Sequence, residues 1–295
     1  MTNNAQGFKA QLGIGASNPM STGFEFLSES LTKRTQIIDT AGIRGTRSHK
    51  SERTRFGLTS VGGSLLMCPT AQELDPLFDW MIATGTGATS GRTFALTEAQ
   101  PERYIQVLKD IKTHTYDGCK VARWSLSSSE GSQPLQLSLD VVGKTETVTD
   151  DSVVPAFTYL DGSHFNHFDA VFTFGGATRE VTSIDVTCDN ALDVKFHNSR
   201  TATGIDPQDR IITVSAVVPW NDTNVDLYAQ ALAGAAATIV WTNGAYVLTM
   251  TFATLQCPDE TPTVPGRAGF PLTLNMVART LSTTKELVVL LDSAP

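Results

Sequence analysis

Charged residues are scarce in this chain. Asp, Glu, Lys and Arg make up 18 % of its 295 residues, against about 25 % in an average globular protein. Acidic residues outnumber basic ones by 30 to 22, which gives a formal net charge of −8. A protein whose main task is to bind a phosphate backbone normally has a basic balance. The composition therefore argues against general nucleic-acid binding, and an apolar content of 41 % excludes a disordered chain.

Paired cysteines and long apolar runs are also missing. The four cysteines are scattered, at Cys68, Cys119, Cys188 and Cys257. Without a C-x-x-C pair, they argue against a zinc ribbon or redox motif and predict free thiols in a reducing compartment. The first residues lack the apolar segment of a signal peptide. The uncharged stretch 227–258 is interrupted at Asn243-Gly244 and is too polar to span a membrane. We therefore expect a soluble protein without a membrane partner.

Enzyme signatures are absent as well. The sequence has no G-x-S-x-G, no H-E-x-x-H, no P-loop and no G-x-G-x-x-G that leads from a strand into a helix. The best metal candidate is the pair His164 and His167, between Asp161 and Asp169. Neighbouring Gly and Asn indicate a loop, and on a strand residues three apart point to opposite faces. We therefore predict no catalytic residue, no cofactor and no metal site, and a protein that is not an enzyme.

Regular alternation of apolar and polar residues is the dominant pattern. It has a period of two residues, which is typical of half-buried antiparallel strands. It occurs at 122–126, 135–141, 246–252 and 272–276. Asn243-Gly244 between two such runs predicts a tight hairpin.

Only two segments have helical spacing. In the first, from about Thr70 to Thr84, apolar residues recur at i, i+3, i+4 and i+7, and Thr70 with Glu73 forms a capping-box pattern. Asp75-Pro76 is an alternative start for this helix. The second runs from about Thr223 to Ala233. Many strands and two short helices predict a mainly β fold with a minor α+β character.

The two helices occur in matching contexts, which predicts an internal duplication. Each follows an apolar strand and precedes a hairpin, expected at 93–96 with 103–108 and at 238–242 with 245–252. Each half then ends on a Pro-Leu-x-Leu strand, beginning at Pro134 and Pro271. We expect an extended N-terminal arm over residues 1–30, a first repeat over 31–150 and a second over 151–295. Loose repeats of this kind also arise by chance in β-proteins.

Basic residues are concentrated in one segment. Residues 33–55 hold seven Lys or Arg and two acidic residues, a net charge of 7 − 2 = +5 that leaves −8 − 5 = −13 for the remainder. Three interpretations are open: a solvated loop, a contact with the acidic face of a neighbouring copy, or a nucleic-acid contact. No aromatic residues are interleaved to stack on bases, whereas opposite charges on one chain favour head-to-tail association.

Several stretches resemble the tail tube proteins (major tail proteins) of long-tailed bacteriophages, of the non-contractile, siphovirus-like kind. They are Glu29-Ser30-Leu31 through Gly42-Ile43-Arg44-Gly45-Thr46-Arg47, the Cys68-Pro69-Thr70 run with its helix, Asp117-Gly118-Cys119-Lys120-Val121, Val142-Gly143-Lys144, and Thr182-Ser183-Ile184-Asp185-Val186 with Asp189-Asn190. The resemblance covers most of residues 25–290 and rests on pattern and order.

The resemblance implies a structural virion protein with two tandem β-sandwich or barrel-like domains, each flanked by a short helix. Subunits of this family form rings whose inner strands join into one continuous barrel, and the rings stack into the tube for genome ejection. Two domains per chain imply three chains per ring, with pseudo-sixfold symmetry. Other implied partners are the tape-measure and further tail proteins, with double-stranded DNA passing without specific binding. Assembly is expected in the host bacterial cytoplasm.

The resemblance also gives the basic segment a role. The long loop between the first strands of this family reaches an adjacent ring, which implies an inter-ring contact. The implied contact residues are Arg44, Arg47, Lys50, Arg53 and Arg55. A channel for DNA should lack clusters of Lys and Arg on its lining, because a basic lining would hold the polymer.

Other functions are compatible with a mainly β chain. Within the phage class, a single-ring tail terminator or distal tail component is the first alternative. A β-sandwich adhesin or carbohydrate-binding module is another, although the four Trp form no evident cluster. A hydrolase without a recognisable signature is the last.

Overall fold

A computed structural model describes residues 5–39, 42–43, 45–46, 48–131, 134–150, 156–222, 224–257, 271–282 and 284–294. The protein is mainly β, with two α-helices in the described residues, which confirms the predicted fold class. The helices are α1 (Ala71–Met81) and α2 (Leu227–Ala233). The strands of the first half are β1 (Gln11–Gly15), β2 (Thr22–Phe24), β3 (Ser28–Glu29), β4 (Thr32–Ile38), β5 (Arg55–Met67), β6 (Ser90–Ala95), β7 (Arg103–Leu108), β8 (Lys112–Ser129), β9 (Gln136–Gly143) and β10 (Thr145–Asp150). Those of the second half are β11 (Thr158–Tyr159), β12 (Ala170–Phe174), β13 (Ala177–Arg179), β14 (Ser183–Asp189), β15 (Asp193–Lys195), β16 (Gly204–Asp206), β17 (Ile211–Pro219), β18 (Ala235–Asn243), β19 (Tyr246–Gln256), β20 (Pro271–Arg279) and β21 (Leu287–Asp292).

The helix α1 forms where its sequence predicts it. Thr70 accepts a hydrogen bond from the Glu73 backbone N–H (3.2 Å), and the Glu73 carboxylate accepts one from the Thr70 N–H (2.8 Å). This capping box satisfies two N–H groups at the start of the helix. Pro76 lies inside the helix without ending it, so the alternative start at Asp75 is not used. The apolar side of α1 is fully buried against the sheets.

The helix α2 is shorter than predicted. It begins at Leu227, whereas the sequence predicts a start near Thr223, a residue outside the described ranges. The Asp226 side chain makes no capping bond to the helix backbone, because its carboxylate accepts two hydrogen bonds from the guanidinium of Arg179 at 3.0 Å. Before it, Asn224 turns the chain by bonding to Asn221.

The segment that the sequence predicts as an extended N-terminal arm contains strands in its described part. Within the described residues 5–29, β1 pairs with β7 and with β2. Leu12 and Phe24 are buried in the core. The sequence did not predict these strands, because the many Gly and Ser residues of this segment give only a weak alternation of apolar and polar side chains.

One of the two predicted hairpins is confirmed. Strands β18 and β19 pair from Asn243 opposite Tyr246, with Gly244 in the left-handed conformation that this turn requires. The other prediction is wrong: β6 does not pair with β7. Instead β6 pairs with β21 from the far end of the chain, and β7 forms its hairpin with β8. A strand partner so distant in sequence leaves no local signal.

One sheet, called the main sheet here, crosses both halves of the chain. Its strand order is β4–β5–β9–β8–β14–β17–β20, all antiparallel. The halves join where the end of β8 pairs with β14, from Arg123 opposite Asp189 to Ser129 opposite Ser183. This junction adds seven paired positions, so the two halves share a continuous sheet.

The same pattern of strand pairing occurs twice. The strand before each helix pairs with the Pro-Leu-x-Leu strand, as β5–β9 and as β17–β20. The hairpin after each helix is β7–β8 or β18–β19, and its first strand pairs with β1 or β12. The last strand of each half, β10 or β21, pairs with β8 or β19.

The core lies on one face of the main sheet. Alternate residues of its strands point into it and are fully buried, among them Trp124, Leu137, Leu139, Val186 and Val214. The helix α1 covers part of this face, and its Trp80 indole N–H donates to the Cys119 carbonyl at 3.1 Å. All four cysteines are free, as predicted. Burial raises the pKa of the Cys119 thiol and raises that of Cys188 to about 12, so both stay protonated.

Candidate functional site

The face of the main sheet that points away from the core is mainly polar, with Leu66, Val217 and Val277 among its apolar exceptions. Its residues alternate with the buried ones and lie opposite each other across strands: Ser125 faces Ser138 and Thr187, and Ser215 faces Asp185 and Asn275. Its polar residues include Arg34, Ser60, Ser64, Arg123, Ser125, Ser127, Gln136, Ser138, Asp140, Asp185, Thr187, Asp189, Thr213, Ser215, Thr273, Asn275 and Arg279, and these are called the polar face here. The strand alternation that places one set of residues in the core necessarily places this set together on the other side.

Short side chains on the polar face bond to each other. The Ser64 hydroxyl donates to the Asp140 carboxylate at 2.6 Å, and the Ser215 hydroxyl donates to the Asn275 side-chain oxygen at 2.9 Å. Both bonds join neighbouring strands. They tie β5 to β9 and β17 to β20 on this face.

Acidic and basic side chains are equal in number on the polar face. It holds three carboxylates, Asp140, Asp185 and Asp189, and three arginines, Arg34, Arg123 and Arg279. Burial raises the pKa of Asp185, while the Thr187 hydroxyl and the Arg123 charge oppose that rise. No cluster of Lys and Arg occurs among these residues. Such a surface neither attracts nor strongly repels phosphate.

Three cations of the basic segment lie at the far end of the hairpin formed by β4 and β5. Lys50, Arg53 and Arg55 are exposed there. The Arg55 guanidinium donates to the backbone carbonyls of Glu52 and Thr54 at 3.5 and 3.4 Å. The other two predicted contact residues, Arg44 and Arg47, lie outside the described residues.

The hairpin also exposes large apolar side chains, which the sequence analysis missed. Ile37, Ile38, Phe56 and Leu58 are all exposed, Phe56 to 63 %. Every residue of β4 is exposed. The only available signal was the apolar pair at 37–38 inside a charged segment, and a short apolar pair does not say whether it is buried.

The two histidines that were weighed as metal ligands do not form a site. His167 is buried, with its Nδ1 3.3 Å from the Ser128 hydroxyl and its Nε2 3.0 Å from the Val181 carbonyl oxygen. Among the described residues, no group of three or more His, Cys, Asp or Glu could hold a metal ion. This histidine therefore joins the loop before β12 to the main sheet.

A model of the phage tail tube protein family matches residues 3–278. This match covers nearly the whole chain. The chain belongs to the phage tail tube protein family. A comparison with curated proteins finds no match. In the part of the chain that is described, no helix has the length and apolar character needed to cross a membrane.

As a tail tube protein, the chain is a structural component of the phage virion that polymerises into the tail tube, the conduit for the genome. A structural family agrees with the expectation that the chain is not an enzyme. Tail tube proteins assemble with copies of themselves and with other tail components. Self-assembly requires surfaces on which one subunit can bind the next.

Proposed function

We propose that three chains close into a ring, that such rings stack into the tube of a non-contractile tail, and that the polar face lines the channel. The observation that carries the proposal is the polar face itself, which continues from one half of the chain into the other across the β8–β14 junction. A lining without a cluster of Lys and Arg lets DNA slide, whereas a basic lining would retain it.

Two tandem copies of one domain account for three chains per ring. The repeated pairing pattern supports a duplication, with the halves meeting near residues 150–155. A chain with two tube domains supplies a third of a six-domain ring, and closed cyclic symmetry is the usual outcome for identical subunits. Within the chain, the junction between β8 and β14 serves as the template for the junction between chains.

By comparison with the β8–β14 junction, the unpaired strand edge of the first half is the segment Phe26–Leu31. It lies where β14 lies in the second half: Leu27 and Ser30 donate backbone hydrogen bonds to the β5 carbonyls of Leu66 and Ser64. In the described part of the chain, no strand pairs with its other side. A groove of about 680 Å³ runs there, lined by residues 24–29 together with Phe8 and Tyr159. Leu27 is 59 % exposed in it.

The strand that fills this edge in the ring comes from β19 of the neighbouring chain. Leu255 of β19 lies opposite Ala278 of β20, as Val121 of β8 lies opposite Val141 of β9. Gln256, the last residue of β19, therefore corresponds to the residue of β8 just before the stretch that pairs with β14. Joining these edges removes unpaired strand hydrogen-bond groups, which otherwise promote uncontrolled association.

Placing a charge in the groove tests the ring. Leu27→Glu should leave the subunit folded, because the side chain is already exposed, and should shift purified protein from rings to monomers. Leu232→Glu, on the exposed side of α2, is the matched control. Native mass spectrometry gives the number of chains per ring, and negative-stain microscopy distinguishes tubes, single rings and monomers.

The outcomes separate the candidate functions. Rings of three chains that stack into tubes support the proposal, and rings of six chains contradict the duplication. Rings that never stack favour a tail terminator or distal tail component. Monomers from the wild-type chain at all concentrations contradict ring assembly.

A component of the tail tube also has partners other than its own copies. We propose contacts with the tape-measure protein inside the tube and assembly in the host cytoplasm. Four free thiols, three of them buried, support folding in a reducing compartment. The basic residues Arg44, Arg47, Lys50, Arg53 and Arg55 are proposed to contact the next ring.

A further inference from the structure

The far part of the β4–β5 hairpin extends beyond the strand that supports its base. Strand β9 pairs with β5 from Val61 to Met67, whereas β4 pairs with β5 from Arg55 to Gly62. Among the described residues, no strand pairs with residues 55–60 of β5 on the side away from β4. A ribbon of only two strands is marginally stable in water. The direction of this ribbon therefore depends on a support other than a third strand.

One backbone hydrogen bond reaches this unpaired side of β5. The Thr59 N–H donates to the Arg200 carbonyl at 2.7 Å. Arg200 belongs to segment 190–210, which connects β14 with β17 in the second half and contains β15 and β16. The hairpin of the first half is therefore supported by a segment of the second half.

The start of segment 190–210 is bound to β8 of the first half. The pairing of β8 with β9 has a bulge between Val121 and Arg123. The Asn190 side-chain amide donates to the Val121 carbonyl at 2.9 Å, and the Asn190 N–H donates to the Ala122 carbonyl at 2.8 Å. Asn190, one of the residues that carry the family resemblance, is buried. The bulge thus provides two carbonyl groups that hold the second half.

The middle of segment 190–210 is a short hairpin with its own contact to β8. Strands β15 and β16 pair along their whole length, and the Thr203 N–H and hydroxyl both donate to the Lys195 carbonyl, at 2.8 and 3.0 Å. The Ile205 carbonyl accepts a hydrogen bond from the Lys120 ammonium at 2.7 Å, and the Ile205 side chain is buried. Contacts at the start, the middle and the tip of the segment therefore connect β8 with the unpaired side of β5.

We propose that segment 190–210 is a positioning element: it fixes the direction in which the β4–β5 hairpin leaves the ring, without itself contacting the next ring. This inference rests on the proposed function, in which the hairpin contacts the next ring. It deepens that proposal, because it assigns control of the contact to the other half of the same chain. A hairpin already held in the binding direction loses less conformational freedom on stacking, so the contact between rings is stronger.

Removing the contact at the tip tests this role. Thr59→Pro deletes the N–H that donates to Arg200, on the side of β5 that does not pair with β4. Amide hydrogen exchange in residues 55–60 should become about tenfold faster, while residues 61–67 exchange as in the wild type. Ring size by native mass spectrometry should not change, and the protein concentration needed for tubes in negative stain should rise about tenfold. Thr59→Val keeps the N–H and is the matched control.

A second variant weakens the segment without altering the hairpin. Lys120→Met removes the hydrogen bond to the Ile205 carbonyl and should change exchange and stacking in the same direction as Thr59→Pro. Lys144→Met is the matched control. The ammonium groups of Lys120 and Lys144 lie 3.8 and 2.7 Å from the Glu102 carboxylate, but of these two residues Lys120 is the one that donates to segment 190–210.

A third variant distinguishes positioning from direct contact with the next ring. The Arg200 side chain is exposed, and its carbonyl is the group that Thr59 contacts. Arg200→Ala keeps that carbonyl and removes the charge, so exchange and stacking should both stay as in the wild type. Weaker stacking in Arg200→Ala with unchanged exchange would mean that the segment contacts the next ring, and would overturn the inference.

The remaining outcomes separate the inference from the proposed function. Faster exchange and weaker stacking in both Thr59→Pro and Lys120→Met, with normal controls, support the inference. Unchanged exchange or unchanged stacking in Lys120→Met overturns it while the proposed function stands, and this variant decides alone if Thr59→Pro forms no rings. Wild-type rings that never stack overturn the inference together with the proposed function, because the hairpin then has no contact to direct.

Discussion

At the scale of single residues, the buried guanidinium of Arg179 holds the start of α2 in place, a role that no sequence pattern predicts. Its side chain is 3 % exposed and donates to both carboxylate oxygens of Asp226 and to the Gln230 side-chain oxygen. The arginine therefore attaches α2 to β13. Planar two-point pairing of this kind gives both energy and direction.

Asp226→Asn should lower the melting temperature at neutral pH. The hydrogen bonds from Arg179 hold the pKa of Asp226 below its ordinary value of 3.8. A lowered native pKa means that the ionised carboxylate stabilises the fold above that ordinary value, and that this contribution is lost as the pH falls through the lowered pKa. The difference between wild type and variant should therefore persist from pH 7 to about pH 5 and vanish in stronger acid.

Thermal melting as a function of pH checks this prediction. Asp222→Asn removes an exposed carboxylate from the same connection and is the matched control, with little expected effect. Equal melting shifts for the two variants, or a difference that grows in acid, would contradict the role assigned to the ion pair.

At the scale of elements, the capping box of α1 joins three parts of the first half. Besides the Thr70 N–H, the Glu73 carboxylate accepts a hydrogen bond from the Glu25 N–H at 3.3 Å, next to the proposed ring edge. Burial raises the pKa of Glu73 despite these bonds. The start of the helix thus supports the segment that is proposed to receive the neighbouring chain.

Thr70→Ala should cost about 1 kcal/mol of folding stability, the usual effect of removing a helix cap. Thr70→Ser keeps the hydroxyl and should cost much less. Chemical denaturation of the full chain measures both variants. A loss in Thr70→Ser as large as that in Thr70→Ala would indicate that the methyl group, rather than the hydrogen bond, carries the effect.

At the scale of the whole molecule, the polar face has a composition suited to a conduit. Replacing Ser125, Ser138 and Thr187 with Lys should leave tube assembly possible and make assembled tubes retain double-stranded DNA. The retention should weaken steeply with salt, because each phosphate contact releases counterions. Wild-type tubes should retain little DNA at any salt concentration.

Co-sedimentation of tubes with linear DNA measures the retention. Lys substitutions at Thr178 and Thr242, exposed residues outside the polar face, add charge without changing the proposed lining and serve as the control. Equal retention by the two sets of variants would show that the polar face does not line the channel.

Local pattern was enough to predict several parts of the fold. The strands around Trp124, Leu137, Leu248 and Leu274 alternate strictly, because one face of each contacts the core and the other does not. The capping residues of α1 and the Asn243-Gly244 turn act over four residues or fewer, so their signals survive in the sequence. The tail tube resemblance rests on the order of these patterns along the chain, and the match over residues 3–278 confirms it.

The sequence by itself thus determined the fold class, the first helix, the free cysteines, the family and the concentration of positive charge in residues 33–55. Only the tertiary structure decided which strands and segments are neighbours in space. It paired β6 with β21, placed β1 in the sheet, joined the halves at β8 and β14, and set the β15–β16 hairpin against the first half. The physical reason is distance along the chain: alternation and capping are set by neighbouring residues, whereas strand partners are chosen among all segments that reach the same edge.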